Sequence, residues 1–327
     1  MPRSRHNASA SLTDWGEDRL VAALTRDLPR GAEVLVGPGD DCAVIGRPRD
    51  ARWQLLKTDV VIEGIHFLPE EDARRVGWKA LCRAISDIAA MGGIPAHALI
   101  TLAAPAKTSV DRVKALYAGL RKAARKYAVS IVGGETARSP GPLFLNIALT
   151  GWVERQQCVL RSGGRPGDLL YVTGRLGGSL AGKHLDFQPR IEEARWLVSH
   201  FKPRAMMDLS DGLASDLPRL AAASQCGYTV DEARLPLNPG RTTAQALSDG
   251  EDFELLFALS PRSASALERE WKKRFPRLPL TQIGHLIRHL TRPSGLALRA
   301  ASGSLSRSAR LASVIRHSHG YDHFAEC

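Results

Sequence analysis

The sequence predicts an α+β protein of two domains. Three observations carry that expectation. The chain has 327 residues, more than a single compact core ordinarily organises. Strand-like and helix-like stretches mix without the strict alternation a doubly wound parallel sheet needs. Midway, RSGGRPGD (161–168) is dense in glycine and proline and interrupts both periodicities. The expected division is an N-terminal extension and first helix over 1–30, a first domain over 31–155 and a second over 156–327.

A first helix is expected from Asp14 to about Leu28. Asp14 and Glu17 resemble a capping box, and Leu20, Val21, Leu24 and Leu28 share a face. EVLVG (33–37) reads as a short strand entering a Gly-Asp-Asp turn, and RWQLLKTDVVI (52–62) as a longer strand. Residues 70–91 are predicted helical, HALITLAAP (97–105) a strand, and 109–128 a long amphipathic helix. SIVGG (130–134) and PLFLNIALTGWV (142–153) complete the strands of the first half. After the break LLYVTG is a strand, and helices are expected near 178–186, at 190–200 and from 211. YTVDEARLP, FELLFALS and LTQIGHLI read as strands, with a helix at 261–274. AISDIAAMG (84–92) and DLSDGLASDL (208–217) echo each other, each setting Ser-Asp at the start of an apolar helical stretch.

Composition excludes several classes. Apolar content of 44% and charged content of 24% are ordinary for a globular domain, and no 18-residue apolar run exists to span a membrane. The first dozen residues lack an apolar h-region and read as a loose terminus, not a secretory signal. Five scattered cysteines without a CxxC pair argue against a zinc site or a disulfide framework and fit a reducing, cytoplasmic setting. The net charge is +11, but ten Lys or Arg and no Asp or Glu fall between Trp271 and Tyr321. With few aromatics among them, these read as a solvated basic face, not a nucleic-acid platform.

The acids are more informative. In VGPGDDCAVIG (36–46), Asp40 and Asp41 are adjacent; Gly-Pro-Gly-Asp is good turn chemistry, and a bound cation would equally make the pair tolerable. Asp59 interrupts an apolar strand, which is costly without a partner. Asp87, Glu135, Asp208, Asp211, Glu251 and Asp252 sit beside glycines or at element ends, where a cap or turn role would explain each singly. Taken together they would need cations to coexist. With no His/Cys cluster, the expected ion is hard and oxygen-loving, Mg2+ before Zn2+, as in phosphoryl-transfer sites. Other phosphate motifs fail: GPGDDC breaks the dinucleotide fingerprint, and GGSLAGKH (177–184) approaches a P-loop but has His184 where a hydroxyl is needed.

The ordered series GPGDDCAV, KTDVVIEGIHF, ISDIAAMGG, VGGET, LRSGGRPGD, DLSDGLASDL, DGEDFEL and GYDHF closely resembles the thiamine-monophosphate kinase family, from about residue 37 to 324. Its superfamily includes aminoimidazole ribonucleotide synthetase and selenophosphate synthetase. The resemblance implies an N-terminal domain contributing to a dimeric β-barrel and an α/β sandwich-like C-terminal domain. It implies ATP, several Mg2+ ions, and direct phosphorylation of thiamine monophosphate in a cytoplasmic homodimer. By position it assigns Asp41, Thr58, Asp59, Asp87, Glu135, Asp208 and Asp211 to metal. Tyr127, Gly134, Glu135, Arg161 and Ser210 fall to ATP, and His66, Glu251 and Ser318 to substrate. Three departures stand out: Lys57 replaces a frequent serine ligand, Glu135 replaces aspartate, and Ser318 replaces a covering aromatic ring. Among rivals in the superfamily, selenophosphate synthetase would want a reactive Cys that residues 1–36 lack. The hydrogenase-maturation relatives share a C-terminal cysteine with Cys327 but not its surrounding motif.

Overall fold

The computed structural model describes residues 10–288; Ser318, Tyr321, Cys327 and the basic stretch after Arg288 lie outside the described residues. The first predicted helix is two: α1 (Leu12–Trp15) and α2 (Glu17–Thr25), divided at Gly16, whose φ of 70° no helix accommodates. The capping box sits three residues earlier than predicted, with Ser11 and Asp14 reciprocally bonded. Asp14 and Glu17 do not form one.

The N-terminal half is a six-stranded sheet. Its strands are β1 (Val34–Val36), β2 (Ala43–Ile45), β3 (Arg52–Ile62), β4 (Ile94–Ala104), β5 (Ser130–Arg138) and β6 (Phe144–Glu154). They lie in the order β1-β2-β3-β6-β4-β5, antiparallel except for the parallel β4–β5 pair. Strand alternation divides β3, β4 and β6 between two faces. One carries Leu55, Val61, Ile100, Leu145 and Ile147, packed under α3 (Ala73–Ala90) and α4 (Val110–Lys126). Those helices approach backbone to backbone: a Cβ at Gly77 would sit 1.9 Å from the Leu116 carbonyl oxygen. Among the described residues nothing covers the opposite face, and Leu56, Leu99 and Val132 are exposed.

The C-terminal half is a five-stranded antiparallel sheet with helices on both faces. Its strands are β7 (Leu169–Thr173), β8 (Ala205–Asp208), β9 (Cys226–Val230), β10 (Leu255–Leu259) and β11 (Leu280–Arg288), in the order β8-β10-β7-β11-β9. Leu170 and Val172 pack beneath α6 (Leu213–Ala223) and α7 (Thr243–Ser248). Tyr171 and Phe257 face α5 (Ile191–His200) and α8 (Pro261–Arg274). Double coverage explains why β8 and β10 are buried at every position.

The predicted helix at 178–186 is instead two 3-10 turns, Ser179–Ala181 and Lys183–Leu185, separated by Gly182 at φ 120°. No P-loop forms there. The Gly177 and Gly178 amides already donate to the Asp252 and Asp249 carboxylates, and Lys183 Nζ bonds the Arg175 carbonyl and Glu254. Strands β2 and β8 and helix α7 were not predicted; three to six residues are too few to display a period.

Candidate active site

Helix α3 supplies the floor of the site. Lys79, Arg83 and Asp87 recur at i, i+4 and i+8, so they share one face of a helix that is otherwise almost wholly buried. Asp87 therefore does not start a helical stretch as the echo with DLSDG suggested; it lies in the last turn of α3. There the helix dipole opposes a carboxylate, so a capping role does not account for it. Lys57, on β3, offsets the charge from 2.7 Å.

Three acids far apart in sequence converge beside it. Asp41, Asp87 and Asp208 each place a carboxylate oxygen within 4.8 Å of the others, and all three are buried. Asp41 comes from the turn before β2, Asp208 from the end of β8. Arg161 grips Asp41 through Nε at 3.1 Å and Nη2 at 2.6 Å, while its amide donates to Asp40. Ser86 donates to Asp208 at 2.5 Å. Burial, then the Asp41 charge, pushes the Asp208 carboxyl up to about 7. Burial and Asp41 do the same to Asp40, to about 7. Asp87 is raised mainly by burial, against the opposing pull of Lys57.

The other Asp41 oxygen, Oδ2, is buried with no hydrogen-bond partner. An orphan carboxylate oxygen beside two more buried carboxylates is what a cation would satisfy. An all-oxygen donor set selects a hard ion of the Mg2+ type.

Two of the trio, Asp87 and Asp208, line a cleft of about 650 Å³ between the two halves, together with Asp40, Lys57, Asp59, Arg83, Arg161, Ser210, Asp211, Arg219 and Phe253. Asp59 thus joins the group, its Oδ2 3.3 Å from Arg83 Nε. Asp211 is there too, held by Arg219. A second, smaller pocket adjoins it, lined by Ile65, His66, Leu180, Asp249 and Glu251. Arg83, Ser210 and Asp211 line both. Glu251 is not a free carboxylate waiting for a cationic ligand. Fully buried Lys79 lies at 2.5 Å and His184 at 3.0 Å. Burial opposes its ionisation, but the His184 hydrogen bond with the Lys79 and Arg83 charges holds Glu251 down to about 2.

Four assigned residues lie elsewhere. Strand alternation turns Thr58 to the uncovered face, away from Lys57 and Asp59, where its hydroxyl donates to Asn146 at 3.0 Å. Gly134 and Glu135 sit on edge strand β5, three strands from β3 and so about 14 Å away at ordinary strand spacing. Glycine is required at 134 by its backbone neighbour: a Cβ would stand 1.8 Å from the Ile100 carbonyl oxygen. Tyr127 caps α4 and tilts against Trp78 at 5.9 Å, within the N-terminal core instead of the cleft.

Sequence reasoning missed Lys79, Arg83, His184, Arg219 and buried Asp216, which accepts from the Asp211 amide and from Arg219. The signal for the first two was present: charges spaced four apart in an apolar helix.

Two antiparallel-rich α+β halves with an acidic cleft between them define a two-domain protein of the AIR synthase type. The chain matches the family models "AIR synthase related protein, N-terminal domain" over residues 39–153 and "AIR synthase related protein, C-terminal domain" over 165–287. It is 39% identical to the thiamine-monophosphate kinase of Rhodopirellula baltica, covering 86% of this chain and 91% of that one. It is 32% identical to that of Bacillus subtilis, covering 93% and 98%. The solved structure of AaThiL complexed with AMPPCP and TMP superposes with TM-score 0.74 at 30% identity, covering 86% of this chain and 94% of that one. The chain belongs to the thiamine-monophosphate kinase family. Among the described residues, no helix is long and apolar enough to cross a membrane.

Proposed function

We propose that this protein transfers the γ-phosphoryl group of ATP directly to the phosphate of thiamine monophosphate, giving thiamine diphosphate and ADP. The observation that carries the reading is the buried Asp41–Asp87–Asp208 trio, with its orphan oxygen on Asp41, two of whose members line a cleft that shares residues with a second pocket. The nucleotide occupies the larger cleft and thiamine monophosphate the smaller. An oxygen of the acceptor phosphate attacks the γ-phosphorus as the bond to the β-phosphate oxygen breaks. The transfer is direct, with no covalent intermediate on the protein, and catalysis is by positioning and charge neutralisation.

Asp41, Asp87 and Asp208 would hold Mg2+, with Asp59 and Asp211 at the rim; the ions supply charge neutralisation to the triphosphate. Lys57 supplies a fixed positive charge where relatives of the family often have a serine, so fewer ions are needed. Arg161 and Ser210 contact the nucleotide from the C-terminal half. Thr58, Gly134 and Glu135 belong to the uncovered sheet face or its edge, and act in a homodimer in which a second copy covers that face and its exposed Leu56, Leu99 and Val132. Cys42, Cys82, Cys158 and Cys226 are free thiols, in keeping with a cytoplasmic enzyme. Incubating the protein with ATP, Mg2+ and thiamine monophosphate, and measuring thiamine diphosphate, tests the reading; absence of that product with intact binding of both substrates would refute it.

A further inference from the structure

Resting on that reading, we propose that Arg83 is the residue that grips the acceptor phosphate. Three residues line both pockets, Arg83, Ser210 and Asp211, and the two phosphates must meet at their shared boundary. Asp211 is committed to Arg219, and the Ser210 hydroxyl donates to Asp211. Arg83 is the cation of the three, and it is loosely held. Its Nε is 3.3 Å from Asp59 and its Nη1 is 3.2 Å from Glu251, at or beyond the long end of a good N–H···O bond. Neither bond uses Nη2. The other arginines of the larger cleft are clamped by contrast: Arg161 lies 2.6 Å from Asp41, and Arg219 holds Asp211 while pairing with Asp216 at 3.2 Å and Asp18 at 3.1 Å.

Arg83 can leave Glu251 without stranding it, because Lys79 and His184 remain on that carboxylate. Its guanidinium stands 6.0 Å from the Phe253 ring centroid, which limits where the head can turn. That ring stacks on Phe187 at 3.9 Å, and the Phe253 backbone lies in the left-handed region at φ 51° with its N–H donating to the Leu209 carbonyl at 2.8 Å. A planar fork of this kind matches phosphate oxygens. Fixed positive charge at this point offsets the repulsion between two phosphate groups brought into contact.

The test compares binding of thiamine monophosphate with binding of unphosphorylated thiamine, by calorimetry, in wild type, Arg83→Met and Arg83→Lys. Arg83→Met should weaken thiamine monophosphate about 10- to 100-fold, the range for a lost charge-assisted contact, and leave thiamine within twofold. Arg83→Lys should fall between them, and it carries the comparison if Arg83→Met does not fold. Equal weakening of both ligands would assign Arg83 a structural role through Glu251 and overturn the inference, as would unchanged affinity for the phosphorylated ligand. A wild-type protein that binds neither ligand would instead overturn the functional reading itself.

Discussion

Replacing Asp208 by asparagine should make the metal-free protein more stable while it removes activity. Asp208 lies within 4.8 Å of Asp41 and Asp87. Two unit charges at that separation repel by about 3.5 kcal/mol at an effective dielectric of 20. Arg161 offsets Asp41 and Lys57 offsets Asp87, but the partner of Asp208 is a neutral hydroxyl. A rise in its pKa from 3.8 to about 7 corresponds to about 4 kcal/mol, at 1.36 kcal/mol per unit. Burial supplies the largest share of that rise and the Asp41 charge the next. A carboxyl raised in the folded state contributes stability below pH 4 and loses it as pH climbs toward 7. Asparagine does not titrate, so its advantage over wild type should grow from about 2 kcal/mol at pH 5 to about 4 at pH 8. Thermal melts in EDTA at those two pH values read this directly. At about 2–4 °C per kcal/mol, the gap at pH 8 should reach roughly 8–16 °C. Added Mg2+ with AMPPCP should raise the wild-type melting temperature and not the variant's. A variant that melts lower than wild type in EDTA, or a gap indifferent to pH, would show that the acids are not crowded as described.

Three further outcomes are expected. Lys183→Ala should leave ATP affinity within about twofold by fluorescence titration, because its ammonium is spent on Glu254 and the Arg175 carbonyl; a loss of a hundredfold would revive a P-loop. Gly134→Ala should lower stability by more than about 2 kcal/mol in urea titration, since its Cβ would collide with the Ile100 backbone at 1.8 Å and β4–β5 would have to part. If the proposed homodimer buries the face that carries half-exposed Leu99, the wild type should sediment as a dimer and Leu99→Glu as a monomer in analytical ultracentrifugation; the same mass for both would refute an interface on that face.

Much was readable along the chain because its causes are local. The eleven residues of β3 and the pairing of apolar positions along α4 announced themselves by period, and RSGGRPGD by composition. The acids that meet in the cleft were also visible in residue type, as a series of glycine-flanked carboxylates without a His or Cys cluster among them. The fracture of the first helix at Gly16 and the 3-10 turns around Gly182 were not, because glycine permits a helix and a break alike.

What a linear string could not supply is facing. Asp41, Asp87 and Asp208 are 46 and 121 residues apart in succession, and only the docking of β8 against α3 brings them together. Thr58 and Asp59 are adjacent, yet the pleat of β3 sends them to opposite faces. Glu251 reads as an open carboxylate until Lys79, Arg83 and His184 arrive from other elements to neutralise it. Residue type sets what a side chain can do; its neighbours across the fold, through burial and charge at a few ångströms, set which of those things it does.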